Sequence, residues 1–498
     1  MMEGFKHTDI GLIPDDWHFG RIDEYFTIQQ GKSVSKTNRI GDNQKPFLRT
    51  SNLLWGKVTL DELDFLHFSK EEEEKYKLLY NDLLVCEGGD IGRTAIWENE
   101  MNDIYFQNHL HRVRAKVNDI DPNFVMNWMQ YAFRYGKIYF GRGNITTIPN
   151  LSKSRLSELA IPKPPLPEQR KIAYVLSTVQ KAIEQQDKLI RTTTELKKAL
   201  MQKLFTEGLP TAEALEAEAL EPTAELLKPT VEALEAGGRK LKQTEIGLVP
   251  ESWEVVTLGN YLEETQLKDP TKKPNDEFIY VDVSSVSNEL LKVTGSNRLL
   301  GKEAPSRARK LIQTDDVIFA TVRPTLKRIA KITLDLNNQI CSTGFCVLKP
   351  AKSKLDSEFL FQYLQTDAFI ARIEKLQRGA NYPAVRDKDV KGLKIPLPQY
   401  SEQVIIGKYL KTLDKKKNIA ISKKQTLNDL FKTLLHELMT GKRRVHEIEF
   451  QGGFENLSHP EKPKPEALEG EALEGEVLKN SDKTFKIEEQ QFNIAAKK

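Results

Sequence analysis

The feature that most constrains this chain is a long internal duplication. The stretch KHTDIGLIPDDW at residues 6–17 returns as KQTEIGLVPESW at residues 242–253. Likewise, IPKPPLPEQ at 161–169 has a counterpart, IPLPQYSEQ, at 395–403. Because these landmarks keep their order and nearly their spacing, the sequence predicts two copies of one structural plan in tandem.

Each copy is predicted to contain a mixed globular part followed by a long helix. Short β-rich stretches such as EFIYVDVSSV and DVIFATVRP alternate with loops, and helices are expected at 123–134 and 357–377. The predicted fold class is therefore α+β, with two globular α/β domains in a tandem pseudo-repeat and two long helices between them. The expected boundaries are a first domain at 1–160, a helix at 161–206, an acidic low-complexity linker at 207–241, a second domain at 242–394, a helix at 395–446 and a disordered tail at 447–498.

Both long helices carry an apolar stripe at mostly three- and four-residue steps, as in a coiled-coil seam. A helix of some 40 residues is about 60 Å long and needs a partner for that stripe. We expect this partner to be the other helix, and the alternative is packing against the globular part of the same copy. The seam residues are predicted to be Ile172, Leu176, Val179, Ile183, Leu196, Leu200, Leu204, Ile406, Leu410, Leu413, Leu427, Leu434 and Leu438.

Charge is distributed unevenly along the chain. The overall net charge is +3, but residues 207–236 hold eight Glu against one Lys, and residues 447–498 hold twelve acidic against seven basic residues. The remainder is strongly basic, which suits a polyanionic partner such as DNA or RNA. No run of residues is apolar enough for a membrane span, and the start MMEGFKHTD has no apolar signal core. We therefore expect a cytoplasmic protein with no membrane partner.

No catalytic or metal-binding motif stands out in the sequence. The Gly-Lys-Ser ending at 31–33 lacks the first glycine of a phosphate loop, and the glycines of EGGDIGR at 87–93 favour a turn between strands. The three cysteines are too few for a disulfide framework, and His109 with His111 is the sole close histidine pair, so buried thiols and a solvent-facing histidine are expected. We predict no catalytic residues, no metal site and a binding protein.

With TxIGxxPxxW opening each copy and IPxPxxxEQ leading into a helix that ends in LFTEG or LMTGK, the chain resembles the specificity subunits of type I restriction-modification systems. The resemblance covers about residues 5–445. It departs from the family in the acidic junction, the tail and PQYSEQ in place of PPLPEQ.

This resemblance implies two target-recognition domains, each binding half of a split double-stranded DNA site. The long helices would form an antiparallel coiled coil that docks two modification subunits. Those subunits would hold S-adenosylmethionine and methylate adenine, while restriction subunits would use ATP and Mg²⁺ in defence against foreign DNA. The chain itself would bind no cofactor.

Candidate DNA contacts follow from residue chemistry, since Arg, Asn, Gln, Ser and Thr suit base edges whereas Lys and Arg suit phosphates. For each residue the alternative is a solvated side chain or a structural hydrogen bond. In the first domain the candidates are Arg49, Ser51, Asn52, Arg93, Arg142, Asn144 and Thr146. In the second they are Arg307, Arg309, Arg323, Lys327, Arg328, Asn381 and Tyr382.

Two other classes of function remain open from the sequence. One is a coiled-coil scaffold that holds proteins through its duplicated domains, and the other is a nuclease or methyltransferase with unrecognised motifs. The Ala-Leu-Glu repeats of the junction also leave two alternatives. They form a helix that sets the spacing of the domains, or a slack loop that does not.

Overall fold

The computed structural model describes residues 4–139, 150–209, 239–379 and 381–447. The chain forms two compact units, unit 1 with residues 1–180 and 429–498, and unit 2 with residues 181–428. Both boundaries between the units fall inside long helices. The described α-helices are α1 (Ile22–Tyr25), α2 (Lys70–Tyr76), α3 (Pro122–Gln130), α4 (Lys153–Ser157), α5 (Leu166–Thr206), α6 (Ser357–Tyr363), α7 (Asp367–Lys375), α8 (Asp387–Lys391) and α9 (Tyr400–Met439).

Unit 1 is built on a four-stranded sheet with the order β10-β9-β12-β4 and a three-stranded sheet with the order β11-β5-β8. Three two-stranded pairs, β1-β2, β13-β3 and β6-β7, complete it. The strands are β1 (Phe5–Thr8), β2 (Gly11–Pro14), β3 (His18–Arg21), β4 (Phe26–Gln30), β5 (Gln44–Leu48), β6 (Leu53–Leu54), β7 (Lys57–Val58), β8 (Asp64–His67), β9 (Leu83–Cys86), β10 (Thr94–Ile96), β11 (Tyr105–Phe106), β12 (Leu110–Ala115) and β13 (Ala160–Lys163).

Unit 2 has two four-stranded sheets, with the orders β17-β26-β23-β24 and β21-β18-β25-β22, and the pairs β14-β15, β16-β27 and β19-β20. Its strands are β14 (Leu241–Thr244), β15 (Gly247–Pro250), β16 (Glu254–Thr257), β17 (Leu262–Glu263), β18 (Glu277–Val281), β19 (Val286–Ser287), β20 (Lys292–Val293), β21 (Asn297–Leu300), β22 (Ala308–Ile312), β23 (Val317–Ala320), β24 (Ile329–Lys331), β25 (Gln339–Ser342), β26 (Phe345–Pro350) and β27 (Lys394–Leu397).

The two units share one topology in most of their strands. The sheet β10-β9-β12-β4 of unit 1 corresponds to β24-β23-β26-β17 of unit 2, and the parallel pair β11-β5 corresponds to the parallel pair β25-β18. The units differ in two places: unit 2 adds the edge strand β22 where unit 1 has helix α2 at the same place in the chain order, and it has helix α7 where unit 1 has a π-helical turn at Tyr131–Tyr135. The predicted tandem pseudo-repeat of α/β domains is confirmed.

The repeated Glu-Gln pair joins each long helix to its globular part. The amide oxygen of Gln169 accepts a hydrogen bond from the amide of Asp121, the residue that caps α3. Gln403 accepts in the same way from Asp356, which caps α6. In both units the buried glutamine thus connects the start of the long helix to the capping residue of a helix in the globular part. This shared contact explains why the sequence contains this passage twice.

The preceding glutamates bind the tryptophans of the other repeated motif. The Trp17 indole donates to Glu168 at 3.1 Å, and the Trp253 indole donates to Glu402 at 3.2 Å. Both tryptophans are buried. The start of each long helix is therefore attached to the opening segment of its own copy.

Within unit 2, the long helices run antiparallel. Lys197 of α5 bonds Asp414 of α9 at 2.7 Å, and further along the pair Asp187 bonds Lys424. The described ends of α5 and α9 also pack into the globular core, where Phe205 contacts Phe359 of α6 edge to face. In unit 2 the long helices therefore pack both against each other and against the globular core, so both alternatives given for the apolar stripes occur.

One predicted seam residue is wrong. Leu196 is 38% exposed, whereas Thr193 and Lys197 occupy the buried face of that turn. Leu196 was predicted because it is apolar, but the buried positions of this turn are 193 and 197. The polar side chain at 197 is buried because it bonds Asp414. The other twelve predicted seam residues are buried.

Three smaller sequence predictions have mixed outcomes. The helix predicted at 357–377 is two helices, because the Thr366 hydroxyl accepts from the Phe369 amide and starts α7 after a break. Of the histidine pair, His109 is exposed, as predicted for one of the two, whereas His111 is fully buried and its Nε2 lies 2.9 Å from the Leu151 carbonyl. The three cysteines are free and buried, as predicted.

Candidate nucleic-acid interface

Two loops of unit 2 are joined along the end of the sheet that contains β23. The first is the β23–β24 turn, residues 321–328, and the second, with described residues 378–379 and 381–385, follows α7. The amide of Arg323 donates to the carbonyl of Pro383 at 2.8 Å, and the amide of Val385 donates to the carbonyl of Thr321 at 2.9 Å. These backbone bonds hold the two loops together without using any side chain, so the side chains can vary.

Arg323 and Tyr382 project from these two loops onto each other. The central carbon of the Arg323 guanidinium lies 4.9 Å from the centre of the Tyr382 ring, a cation–π contact. Both residues are exposed, and Tyr382 keeps 70% of its surface accessible. Asn381, also exposed, is the neighbour of Tyr382 in the chain. Three of the predicted contact residues therefore lie together on one accessible surface.

Lys327 and Arg328, predicted for the same surface, make internal contacts instead. The ammonium of Lys327 bonds the carbonyl of Gln365 at 3.0 Å and Asp367 at 2.8 Å. Arg328 donates to the carbonyl of Val286 at 2.6 Å. Their guanidinium and ammonium groups support the fold of the turn, which is the structural alternative left open by the sequence.

Arg307 and Arg309 lie at the start of β22. Arg307 is exposed, whereas Arg309 donates to the carbonyl of Ala308 and lies 3.6 Å from Asp269. Sequence reasoning missed a group of exposed lysines close by in the chain and in space, although the lysine-rich stretch QLKDPTKKP signalled it. The amide of Lys268 donates to the carbonyl of Arg309, and the lysines are Lys268, Lys272, Lys273 and Lys302.

In unit 1 the described candidates gather around the short 3₁₀ helix after β5. Arg93 donates to the carbonyl of Thr50 at 2.8 Å, and Arg49 forms an ion pair with Asp64 at 3.1 Å. Asn52 is buried and accepts a hydrogen bond from the Arg49 amide. Ser51 is exposed.

The remaining three candidates of unit 1, Arg142, Asn144 and Thr146, lie outside the described residues. The assignment of individual residues to DNA contact stays a prediction for all fourteen. What the geometry adds is a division between exposed side chains and those that already bond the protein itself.

Nothing in the described residues forms a nucleophile or metal centre. No group of three or more His, Cys, Asp or Glu side chains in this part of the chain is arranged to hold a metal ion. Burial raises the pKa of the Cys346 thiol to about 12, so this sulfur stays protonated and unreactive. Burial also lowers the pKa of His111, which favours the neutral imidazole. In the described parts of the chain, no helix combines the length and apolarity that a membrane crossing needs.

The features together describe a class of protein: a duplicated, two-unit binding protein whose shared scaffold carries different loops. The chain belongs to the family of the type I restriction modification DNA specificity domain, which matches it twice, at residues 14–191 and 250–430. It is therefore a non-catalytic specificity subunit with two DNA-recognition domains.

Relatives that align over nearly their whole length are also named as specificity subunits. The provisionally assigned type I restriction enzyme MjaX specificity subunit of Methanocaldococcus jannaschii is 27% identical over 89% of this chain and 97% of its own. The MjaVIII specificity subunit of the same organism is 24% identical over 90% of this chain and 98% of its own. The crystal structure of the type I S subunit from M. genitalium covers 85% of this chain and 96% of its own, with a TM-score of 0.52 at 17% identity, and so shares the fold.

Proposed function

We propose that this chain selects a bipartite double-stranded DNA site, with one half-site bound by each globular domain. The observation that supports this most strongly is the combination of a shared strand topology, apart from the added strand β22, with different loop residues in the two units. A shared scaffold presents a surface in the same way twice, and different side chains on it select different sequences.

The proposal includes partners, as the sequence analysis expected. Two modification subunits dock on the long helices, hold S-adenosylmethionine and methylate adenine, and restriction subunits supply the ATP- and Mg²⁺-dependent cleavage. The chain acts in the cytoplasm, where chromosomal DNA lies. A helix of 41 residues is about 60 Å long, well over one DNA turn of about 34 Å, so the half-sites are separated by bases that are not recognised.

A domain exchange tests the independence of the two halves. Residues 18–158 are replaced by the corresponding region of another specificity subunit, the chain is co-expressed with its modification subunits, and methylated adenines are mapped in the host genome. We expect one half-site to change and the other to stay. The matched exchange, residues 254–392, should change the other half-site instead.

Three results would contradict the proposal. If both half-sites change in either exchange, the domains do not bind independently. If the purified chain alone binds labelled S-adenosylmethionine, it is an enzyme. If it assembles with partners but the complex shows no sequence preference, the scaffold alternative is favoured.

A further inference from the structure

The β23–β24 turn of unit 2 contains two non-glycine residues in the left-handed region of backbone conformation. Arg323 has φ of 48° and Lys327 has φ of 52°, and these residues flank a short 3₁₀ helix at Pro324–Leu326. A side chain with a Cβ atom is sterically disfavoured there, so glycine is the usual occupant.

Unit 1 builds the matching β9–β10 turn with glycine. Gly89 and Gly92 both have φ of 76°. A corresponding bond closes both turns, since Cys86 donates to the carbonyl of Arg93 and Ala320 donates to the carbonyl of Arg328, although the turn of unit 2 is one residue longer. The scaffold thus tolerates glycine at both places, and unit 2 carries side chains there in spite of the backbone strain.

Lys327 has an internal reason to occupy its position, because it bonds Asp367 and the carbonyl of Gln365. Arg323 differs. Among the described residues, no carboxylate lies within ion-pairing distance of its guanidinium, and its contact is the exposed ring of Tyr382. Strain that is kept without an internal contact to explain it indicates a role outside the fold.

The chemistry of this pair suits a base edge. A guanidinium held over an aromatic ring by a cation–π contact keeps its N–H groups available to donate outward, and the contact limits its rotation. Two parallel N–H donors match O6 and N7 of guanine in the major groove, the most frequent specific arginine contact with DNA. The hydrogen bond from the backbone amide of Arg323 to the carbonyl of Pro383 fixes the backbone position from which the Arg323 side chain extends.

We propose that Arg323 recognises a guanine in the half-site bound by unit 2, and that Tyr382 is the residue that positions it. This inference rests on the proposed function. Lys327 and Arg328, four and five residues later in the same turn, support the turn and do not select a base.

The test uses the complete complex with modification subunits and a duplex library randomised across the half-site of unit 2, which the domain exchange identifies. The substitution Arg323→Gly keeps the backbone hydrogen bond and copies Gly89 of unit 1, so the thermal unfolding midpoint should stay or rise. Affinity for the original site should fall by about tenfold to a hundredfold. Preference for guanine should disappear at one position, while the half-site of unit 1 stays intact.

Ser353→Gly is the matched control, since it relieves the same kind of backbone strain, at φ of 60°, on an exposed residue of unit 2 outside the two loops and should leave every base preference unchanged. Tyr382→Phe should keep the guanine preference and Tyr382→Ala should weaken it. Arg323→Lys, which keeps the charge but not the two parallel donors, should also relax that position, and it decides the matter should the glycine variant fail to assemble.

Several outcomes would overturn the inference. Uniformly weaker binding to all sequences after Arg323→Gly would mean a phosphate contact, and an unchanged preference would mean no contact. Relaxation at a base other than guanine, or an equal effect of Ser353→Gly, would also refute it. Loss of preference in both half-sites at once would instead contradict the independent domains of the proposed function.

Discussion

The guanidinium of Arg239 lies 2.9 Å from the carboxylate of Glu402. The amide of Leu209 donates to the same carboxylate at 3.1 Å, although the chain between the two donors includes residues 210–238, which lie outside the described residues. Glu402 also accepts from the Trp253 indole, so its position is fixed by the core. Leu209 and Arg239, the described residues on either side of the acidic junction, are therefore both bound to the side chain of Glu402.

This arrangement predicts the result of deleting residues 213–216, one Ala-Leu-Glu quartet. The gap between the two half-sites should stay the same, because both neighbours of the junction remain bound to Glu402. Mapping methylated adenines in cells that express the deleted chain with its partners measures the gap directly. A gap shorter by one or two base pairs would favour the helical alternative, since a quartet of helix spans about 6 Å.

A deletion of equal length inside α5 is the control for that experiment. Removing residues 184–187 displaces the rest of the helix by about 6 Å and rotates it. The deletion removes Asp187 and its bond to Lys424 and shifts the two parts of α5 relative to each other, so methylation should be lost or the gap altered. If both deletions are silent, the assay does not report helix geometry.

The second prediction concerns Arg444 of unit 1, which bonds Asp16 at 2.7 Å and the buried Glu168 at 2.8 Å. Arg444→Ala should lower the free energy of unfolding of unit 1 by about 2 kcal/mol, because it removes charge-assisted bonds from a buried carboxylate. The measurement is chemical denaturation of the complete complex, with the variant compared to the original chain under the same conditions. Arg443→Ala, which removes the more exposed pair with Glu437, should cost about 0.5 kcal/mol.

The pH dependence of the Arg444 site follows from the direction in which the pKa of Asp16 is shifted. The hydrogen bond from Arg444 lowers the pKa of Asp16 below its usual range. The stabilisation is therefore present above the ordinary carboxylate pKa of about 4 and is lost as the pH falls through the lowered value. The difference in stability between the original chain and Arg444→Ala should shrink below about pH 4, and a difference that persists there would contradict this account.

The sequence predicted the framework well because the framework is repeated and periodic. The Trp and Glu-Gln motifs are conspicuous in the sequence since each side chain has a buried partner that both copies need, as with Trp17 and Glu168. Helix length followed from the spacing of apolar residues. The prediction that Leu196 belongs to the seam was wrong because the seam contains a polar pair at that point. A criterion based on apolar residues cannot anticipate a polar partner such as Asp414 on another helix.

The candidate site was far less predictable, because it depends on which polar side chains already have an internal partner. Arg323 and Arg328 are the same residue type five positions apart, yet one is exposed on Tyr382 and the other bonds the carbonyl of Val286. Asn52 is a plausible base contact by composition, but its amide donates to backbone carbonyls of the neighbouring loop. Such differences arise from loop conformation, which periodicity does not encode.

The third prediction concerns Asp316, which is 3% exposed at the start of β23. Burial raises its pKa to about 6. Since the folded pKa exceeds the unfolded value of about 3.9, the native state binds more protons between these limits, and the free energy of unfolding should fall as the pH rises from about 4 to about 6. Asp316→Asn should remove this slope in denaturation curves, because the amide oxygen can still accept from the Gln313 amide.

Asp82, the counterpart in unit 1, provides the comparison because Arg114 bonds it at 2.6 Å and 2.7 Å. Asp82→Asn removes a charge partner from that arginine and should lower stability throughout the range from pH 5 to 8. Parallel pH profiles for the original chain and Asp316→Asn would show that this carboxyl is not the source of the slope.

The last prediction concerns Lys197 and Asp414, the buried ion pair between α5 and α9. Lys197 is 7% exposed, and burial lowers the pKa of its ammonium, so this side chain depends on Asp414 and on Gln365, which accepts from it at 2.8 Å. In a double-mutant cycle with Lys197→Met and Asp414→Asn, the coupling should be about 2 kcal/mol, because each single change leaves the other polar group buried with fewer partners. The exposed pair Asp187 and Lys424, on the same two helices, should give about 0.5 kcal/mol. Equal couplings for the two pairs, measured by denaturation of the assembled complex, would mean that water reaches the seam and that Lys197 does not fix the register of the helices.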